Sequence, residues 1–279
     1  MPFKTIATIV TDMDNDKDAL SAAVGLARRE DAHLEVLCLG IDQTQPGFYY
    51  AGASAVLLQD NLSRAQDDAA ALEKAAVGFL SHRDVPHTIR AAAVPTASLA
   101  SLVAHRTRLC DLVLLPKPYG EGRTFVHQAI LEAALFNGAV PVLVVPGDTA
   151  LPDRLDRTVV AWNESAEALT AVRAALPFLR QSETVSIAVI DPPVHGPDRS
   201  DPGGELSEVL SRHGVRPEIS VLAKTMPRVS DIMCRHATET GAQLIVMGAY
   251  GHSRFREAIL GGTTRNMLEM AEIPVLMAH

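Results

Sequence analysis

The stretch GAYGHSRFREAILGGTT, Gly248–Thr264, decides how this sequence is interpreted. It follows the apolar run AQLIVM, which ends at Met247 and predicts a buried strand, and it precedes RNMLEMA, which has helical character. Glycine lets a main chain approach phosphate oxygens because no Cβ intervenes, and the amide groups that open a helix favour anions. A glycine-rich loop between a strand and a helix therefore predicts a phosphate-binding site.

Composition limits the classes of protein to which the chain can belong. Its 279 residues fit two domains of ordinary size, and a hydrophobic content of 47% with only 4% aromatic residues suits α/β layers. The formal net charge is -8, and no long run of Lys or Arg occurs. We therefore expect binding neither to nucleic acid nor to an anionic membrane.

The N-terminal segment and the cysteines favour a cytoplasmic location. The short apolar run of MPFKTIATIVTDMD meets aspartates at once, which fits neither a signal peptide nor a spanning helix. Cys38, Cys110 and Cys234 are far apart in sequence and show no metal-ligand spacing. We interpret them as buried small hydrophobic residues and expect no metal site built on them.

The two halves of the chain repeat one pattern of strands and helices. TIATIV, an acidic turn and an alanine-rich helix in the first half correspond to RTVVAW, NESAE and ALTAVRAALPFLR in the second. CDLVLLP corresponds to AQLIVMG, and VPVLVVP corresponds to IPVLMAH. Each half is predicted to run β-α-β-α-β-α-β-α-β, which calls for a parallel sheet with helices on both faces. The Pro- and Asp-rich segment PGDTALPDRLDR is the predicted linker.

Three loops of the second half should converge on one site, because ligands bind at the carboxyl ends of parallel strands where the strand order reverses. They follow the first strand at Ala161, Trp162 and Asn163, the second strand at Val189, Ile190 and Asp191, and the fourth strand from Gly248 onward. The glycine-rich stretch is the third of these loops, so the motif and the topology agree.

These residues resemble the nucleotide signature G-x2-G-x9-G-(S/T) of the universal stress protein family, with Gly248, Gly251 and Gly261 at the matching positions. Because both halves carry the family's opening strand, acidic turn and closing Pro-Val-Leu strand, the chain resembles a tandem member. The resemblance implies two Rossmann-like α/β domains of the adenine nucleotide α hydrolase type, at 1–148 and 154–279. Each would be an open twisted, mostly parallel five-stranded sheet flanked by helices, and the implied ligand is ATP, with or without Mg²⁺.

The sequence departs from the family pattern at two positions of the second half. Gly262 stands where the family has Ser or Thr, with the hydroxyl residues Thr263 and Thr264 following, and Asn163 stands where the family usually has Asp. A backbone loop survives the first change, and Asn can still donate and accept hydrogen bonds. The residues expected to contact the nucleotide are Ala161, Asn163, Val189, Met247, Gly248, Gly251, His252, Arg254, Gly261, Gly262, Thr263 and Thr264.

The first half has lost the corresponding loop. Pro116 replaces the first glycine, and Gln128 and Ala129 fall where Gly261 and Gly262 would be. Proline has no amide donor, and the side chains at the other two positions would obstruct a phosphate. We predict one nucleotide site for each chain, in the second half, with the first half serving structure or partner binding.

Several other candidates have simpler alternatives. The acidic run Asp12–Asp18 departs from a calcium loop and suits a helix N-terminus, with a weak Mg²⁺ contact as the alternative. Thr11 and Ser165 are expected to cap helices, although Ser165 could also touch the nucleotide. Arg254, like Arg256 and Arg265, could reach phosphate or lie on a solvated face, and His252 could bind phosphate or lie in a surface loop.

The leading hypothesis is a cytoplasmic ATP-binding stress-response protein in which nucleotide changes the conformation or assembly of the chain. The closing strands would form a pseudo-dimer within the chain, and two chains could associate as a homodimer. We expect binding rather than turnover because GxSxG and Walker A motifs do not occur. One alternative is a slow ATPase or phosphotransferase with Mg²⁺ held by Asp191 or a neighbouring carboxylate and with Arg254 stabilising charge. Another is a nucleotide-independent adaptor for a protein or lipid.

Overall fold

The structure is a computed structural model that describes residues 3–42, 55–147, 152, 154–192, 201–249 and 262–279. It divides into two compact units, Phe3–Val142 and Leu143–His279. Each half of the chain alternates strands with helices, and every pairing described below is parallel. The predicted α/β class, with mostly parallel sheets flanked by helices, is confirmed. The predicted domain limits 1–148 and 154–279 stay a prediction.

The elements of the first half begin where the apolar runs begin. The strands are β1 (Thr5–Val10), β2 (His33–Asp42), β3 (His87–Pro95), β4 (Leu112–Pro116) and β5 (Val142–Val145). The helices are α1 (Met13–Glu30), α2 (Ala55–Leu80), α3 (Leu99–Thr107) and α4 (Phe125–Glu132), with a π turn at Ala133–Asn137.

The second half repeats this order. The strands are β6 (Arg157–Ala161), β7 (Thr184–Ile190), β8 (Pro217–Leu222), β9 (Leu244–Gly248) and β10 (Val275–Ala278). The helices are α5 (Ala166–Gln181), α6 (Gly204–Arg212), α7 (Val229–Thr240) and α8 (Thr263–Met270). The short α6 confirms the helix predicted after the Pro- and Gly-rich segment, of which residues 193–200 lie outside the described part.

The strand order places one reversal in each unit. In the first unit it is β3-β2-β1-β4, and in the second it is β10-β9-β6-β7-β8. β1 pairs with both β2 and β4, and β6 pairs with both β7 and β9. The carboxyl ends of β1 and β4, and of β6 and β9, therefore flank the crevice where open α/β sheets bind ligands.

The core consists of strand residues covered by the apolar faces of the helices. Ile6 on β1, Leu114 on β4, Val160 on β6 and Val246 on β9 are all fully buried. Such continuous burial on central strands explains why these runs are apolar throughout rather than alternating. Among the described residues, no helix is both long and apolar enough to cross a membrane.

The free cysteines only partly fit their predicted role as core residues. Cys38 on β2 is buried, whereas Cys110 and Cys234 are half-buried. Burial raises the pKa of the Cys38 thiol to about 12 and that of Cys110 to about 11, with nearby carboxylates adding to the effect. Both thiols therefore stay protonated and unreactive near neutral pH.

Candidate functional site

A cavity of about 260 Å³ lies at the carboxyl ends of β6, β7 and β9, where the strand order of the second unit reverses. Its walls also include the first turns of α7 and α8. Most of its lining is apolar or aromatic, and its polar groups are uncharged. The lining residues are Ala161, Trp162, Asn163, Ser165, Ala188, Ile190, Val229, Met233, Met247, Gly248 and Thr263.

Five of the residues selected from the sequence line this cavity. They are Ala161, Asn163, Met247, Gly248 and Thr263. The loop positions Trp162 and Ile190, named because they follow strands, line it as well.

Three other selected residues are described but do not line the cavity. Val189 is buried on the opposite side of β7, within 3.5 Å of the position that a Cβ on Gly203 would occupy. Its neighbours Ala188 and Ile190 face the cavity, since successive side chains of a strand alternate. Thr264 is buried in α8, and Gly262 is the N-cap residue of that helix.

Gly251, His252, Arg254 and Gly261 lie outside the described residues, as does Arg256. Arg265, the third arginine considered for phosphate binding, lies within the described residues. Its Nε donates to Glu269 Oε1 at 2.8 Å on the exposed face of α8. That contact agrees with the solvated-face alternative for Arg265.

Packing alone requires glycine at position 248. A Cβ at this position would come within 2.5 Å of the Ala168 amide nitrogen and 2.7 Å of the Glu167 carbonyl carbon. Both are backbone atoms of the first turn of α5, which cannot move away as a flexible side chain could. The absence of a side chain at Gly248 therefore allows α5 to lie directly against the end of β9.

The loop between β6 and α5 is fixed by its own polar groups. Asn163 Oδ1 accepts from the Ser165 amide at 3.3 Å, and Ser165 Oγ accepts from the Ala168 amide at 3.1 Å. Ser165 is thus the N-cap of α5, as predicted. Glu164 and Asp191, at the ends of β6 and β7, adopt left-handed backbone with φ of 62° and 50°.

Three residues that line the cavity were not predicted from the sequence: Ala188 on β7 and an apolar pair on α7. Val229 and Met233 lie on α7, four residues apart, so they share one face of that helix. An apolar pair at this spacing is indistinguishable from ordinary core in the sequence. No signal could have separated the two cases.

The matching region of the first unit has a different structure. Gln128 and Ala129, which correspond to Gly261 and Gly262, lie inside α4 rather than in a loop. The N-terminus of α4 is closed by a capping box, in which Thr124 Oγ1 accepts from the Val126 amide at 3.3 Å and the Thr124 amide donates to His127 Nδ1 at 3.1 Å. By contrast, Gly262 at the start of α8 makes no side-chain cap.

A buried ion pair supports the start of α1. Asp16 accepts from the Thr11 amide at 2.8 Å and from Arg123 Nη1 at 2.6 Å. The predicted cap at Thr11 is wrong: Asp12 caps α1 through the Asp14 and Asn15 amides, and the Thr11 hydroxyl donates to Asp16 instead. The acidic run is a helix N-terminus, as predicted. Among the described residues, no group of three His, Cys, Asp or Glu side chains is arranged to hold a metal ion.

Comparison with a family model confirms the resemblance predicted from the sequence. The model of the universal stress protein family matches residues 154–279. Over these residues the sequence is that of the universal stress protein family.

Similar proteins extend the likeness over more of the chain. Universal stress protein Slr1230 from Synechocystis is 28% identical over 178 residues, which are 60% of this chain and 57% of that protein. The match therefore spans less than two thirds of the relative's length. A universal stress protein structure from Archaeoglobus fulgidus is similar over 98% of this chain and 95% of its own, with a TM-score of 0.73 at 14% identity. The Pseudomonas aeruginosa protein PA1789, described as functionally unknown, aligns over 99% of this chain and 92% of its own, with a TM-score of 0.58 at 15% identity. At such identities the structural likeness establishes the fold alone.

Proposed function

We propose that the second unit binds ATP and that the bound nucleotide changes the conformation or assembly of the chain in a cytoplasmic stress response. The observation that carries this proposal is the uncharged cavity at the strand-order reversal, next to a helix that begins with glycine. A nucleoside is bound by flat apolar surfaces and a few hydrogen-bonding groups, which the lining supplies. Trp162 and Met247 offer apolar surface, and Asn163 and Thr263 offer hydrogen-bonding groups.

The phosphates would lie toward the start of α8. The N-terminus of a helix carries roughly half a positive charge, and its first amide groups point at an anion placed there. Gly262 leaves this terminus without a side-chain cap. In the first unit, Thr124 and His127 already close the corresponding terminus, which supports a single nucleotide site in each chain.

Binding rather than turnover is favoured by the described part of the cavity. Its lining includes neither a carboxylate nor a histidine that could act as a general base. Asp191, the residue considered for Mg²⁺ in the ATPase alternative, is exposed and lies outside the lining. The proposal is therefore a nucleotide-responsive binding protein.

Trp162 provides a direct test, because it is the chain's single tryptophan and lines the cavity. We expect added ATP to change the fluorescence of Trp162, and we expect this change to reach a plateau when the site is saturated. Asn163→Ala should weaken ATP binding about fivefold, because it removes a hydrogen-bonding group worth roughly 1 kcal/mol. Asn61→Ala, on α2 of the other unit, is the matched control and should bind ATP as the wild type does.

Two outcomes would contradict the proposal. Native mass spectrometry that shows no adenine nucleotide on the chain at millimolar ATP, together with unchanged Trp162 emission, would favour the adaptor alternative. Production of ADP in a single-turnover assay, lost in Gly261→Val, would favour the ATPase alternative.

A further inference from the structure

A second and larger cavity lies in the first unit, at the carboxyl ends of β1 and β2 and beside α2 and α4. Its volume is about 530 Å³, which is within the range of roughly 300–1,000 Å³ typical of small-molecule sites. Leu39 and Ile41 of β2, Leu72 of α2 and Val126 of α4 supply apolar walls. The space is therefore large enough, and apolar enough, for a small organic molecule.

The charged residues that line this cavity are both acidic. Asp12 follows β1 and Asp68 lies on α2, and the described lining contains neither Lys nor Arg. The sequence between Asp42 and Asp60 carries no charged residue, so the segment outside the described range adds no positive charge.

Arg123, which lies between the lining residues Gly122 and Thr124 in the sequence, is already paired. Arg123 donates through Nη1 to Asp16 Oδ1 at 2.6 Å and through Nη2 to the Asn15 carbonyl at 2.7 Å. Asp16 is 2% exposed, so this pair is buried and close to neutral as a unit. Arg123 therefore does not offset the two lining carboxylates.

His127 lines the cavity but adds no charge near neutral pH. Burial lowers the pKa of His127 and is the strongest influence on it. The nearby Asp16 carboxylate acts in the opposite direction but is weaker. The Thr124 amide donates to Nδ1, so the ring proton of the neutral form is on Nε2, which faces Thr11 Oγ1 at 3.4 Å. The imidazole thus belongs to a local hydrogen-bond chain.

The N-termini of α1 and α4 lie at this cavity, but their partial positive charges do not make the net charge of the lining positive. Each contributes roughly +0.5 of a charge against two full negative charges, leaving about one net negative charge. The first amides of α1 are also occupied, since Asp12 Oδ1 accepts from the Asp14 and Asn15 amides at 2.8 and 3.1 Å. A phosphate here would meet a carboxylate where it needs donors.

We propose that the first-unit cavity binds a small organic cation, an ammonium group on an aliphatic or aromatic body. The ammonium group would lie between Asp12 and Asp68, and the body would contact the apolar walls. The chain would then hold ligands of opposite charge in its two units. This inference does not depend on ATP binding in the second unit.

The proposal can be tested by calorimetry on the full chain with three probes that all have a six-carbon chain but differ in charge. Hexylammonium, which is charged at pH 7.5, should bind, whereas hexanol should bind more weakly and hexanoate should not bind. Asp12→Asn and Asp68→Asn should each weaken hexylammonium binding about three- to fivefold, and the double variant by more than about tenfold. Asparagine is as good an N-cap as aspartate, so Asp12→Asn retains the start of α1.

Asp67→Asn is the matched control. Asp67 is exposed and adjacent to Asp68 on α2 but does not line the cavity, so its loss should leave hexylammonium binding unchanged. Equal losses in Asp67→Asn and Asp68→Asn would show general surface attraction and overturn the proposal. The proposal would also be overturned if hexanoate bound as tightly as hexylammonium. It would equally be overturned if adenosine displaced hexylammonium at a concentration lower than that of hexylammonium itself. Trp162 emission under ATP, recorded on the same variants, reports the second unit separately.

Discussion

At the scale of single residues, His236 shows how a polar side chain is accommodated in the core of the second unit. It lies on α7, is 8% exposed, and its Nε2 lies 3.0 Å from Ser186 Oγ on β7. Ser186 Oγ is in turn 2.9 Å from Ser220 Oγ on β8. The histidine therefore belongs to a hydrogen-bond network that joins one helix to two strands.

His236 should make the stability of the protein depend on pH. Burial lowers its pKa, with Arg157 acting in the same direction and Glu239 in the opposite one. Below about pH 6.5 the unfolded chain takes up a proton at this site that the folded chain resists, so stability falls as pH falls through that range. In urea titrations at pH 7.5 and 5.5, His236→Gln should lose less stability on acidification than the wild type. The exposed variant His213→Gln should behave as the wild type does, and an equal loss in all three proteins would contradict the assignment.

Residue roles were predictable where one local rule decides them. Ser165 was identified as a cap because a hydroxyl before a helical run has few other uses. Thr11 was not assigned correctly, because the choice between Thr11 and Asp12 depends on Asp16 and Arg123, which is distant in sequence. The side chain of Val189 faces away from the cavity and packs near the start of α6. Which of the alternating side chains of β7 face the cavity depends on this packing, and the sequence does not reveal it.

At the scale of elements, the packing of α2 on β2 depends on Gly40. A Cβ at this position would collide with the Ala65 carbonyl group and come within 2.9 Å of the Ala69 amide nitrogen. The helix backbone therefore approaches the strand at a point where only hydrogen can fit. Ala65 and Ala69, both buried, are the small residues that permit the same approach from the helix side.

Gly40→Ala should destabilise the first unit by about 1–3 kcal/mol, because the added methyl group displaces the backbone of α2. Gly78→Ala on the same helix is the contrasting change, since nothing lies within 4 Å of the position that its Cβ would occupy. It should stabilise the chain by up to about 1 kcal/mol through helix propensity. Chemical denaturation measures both changes, and equal effects of the two substitutions would contradict this account of the packing.

The order and type of elements could be predicted from sequence because apolar runs and turn residues alternate clearly. β1 and the short α6 follow from those patterns. The capping of α4 at Thr124, well before Gln128, could not be anticipated, since it requires the ring of His127 to reach back to a backbone amide. The cavity beside α2 was not predicted, because it arises from how that helix lies over β2.

At the scale of the whole molecule, the two halves repeat one order of strands and helices but differ in the residues that follow their strands. The family model matches the second half, whereas the structural likeness to the Archaeoglobus fulgidus protein covers 98% of the chain. The first half therefore shares the fold although its sequence differs from the glycine-rich stretch of the second half. Arg123, which pairs with Asp16, and the capped α4 belong to the stretch that corresponds to it in sequence.

One ATP should bind to each chain. Isothermal titration is expected to give a stoichiometry near one, and saturating ATP at about 100 times its Kd should stabilise the protein by roughly 2.7 kcal/mol. Asp12→Asn should leave both values unchanged, since Asp12 belongs to the other unit. A stoichiometry of two would show that the first unit also accepts the nucleotide.

The contact between Gly248 and the first turn of α5 has a consequence for tracing descent. Any larger residue at this position of the second unit would separate a helix from its sheet, so the glycine is explained whether or not a nucleotide binds. The first unit carries Pro116 at the corresponding position, so this close approach belongs to one copy and is not required by the fold. Glycine at this position in a relative of the second unit would therefore be no evidence, by itself, that nucleotide binding has been retained.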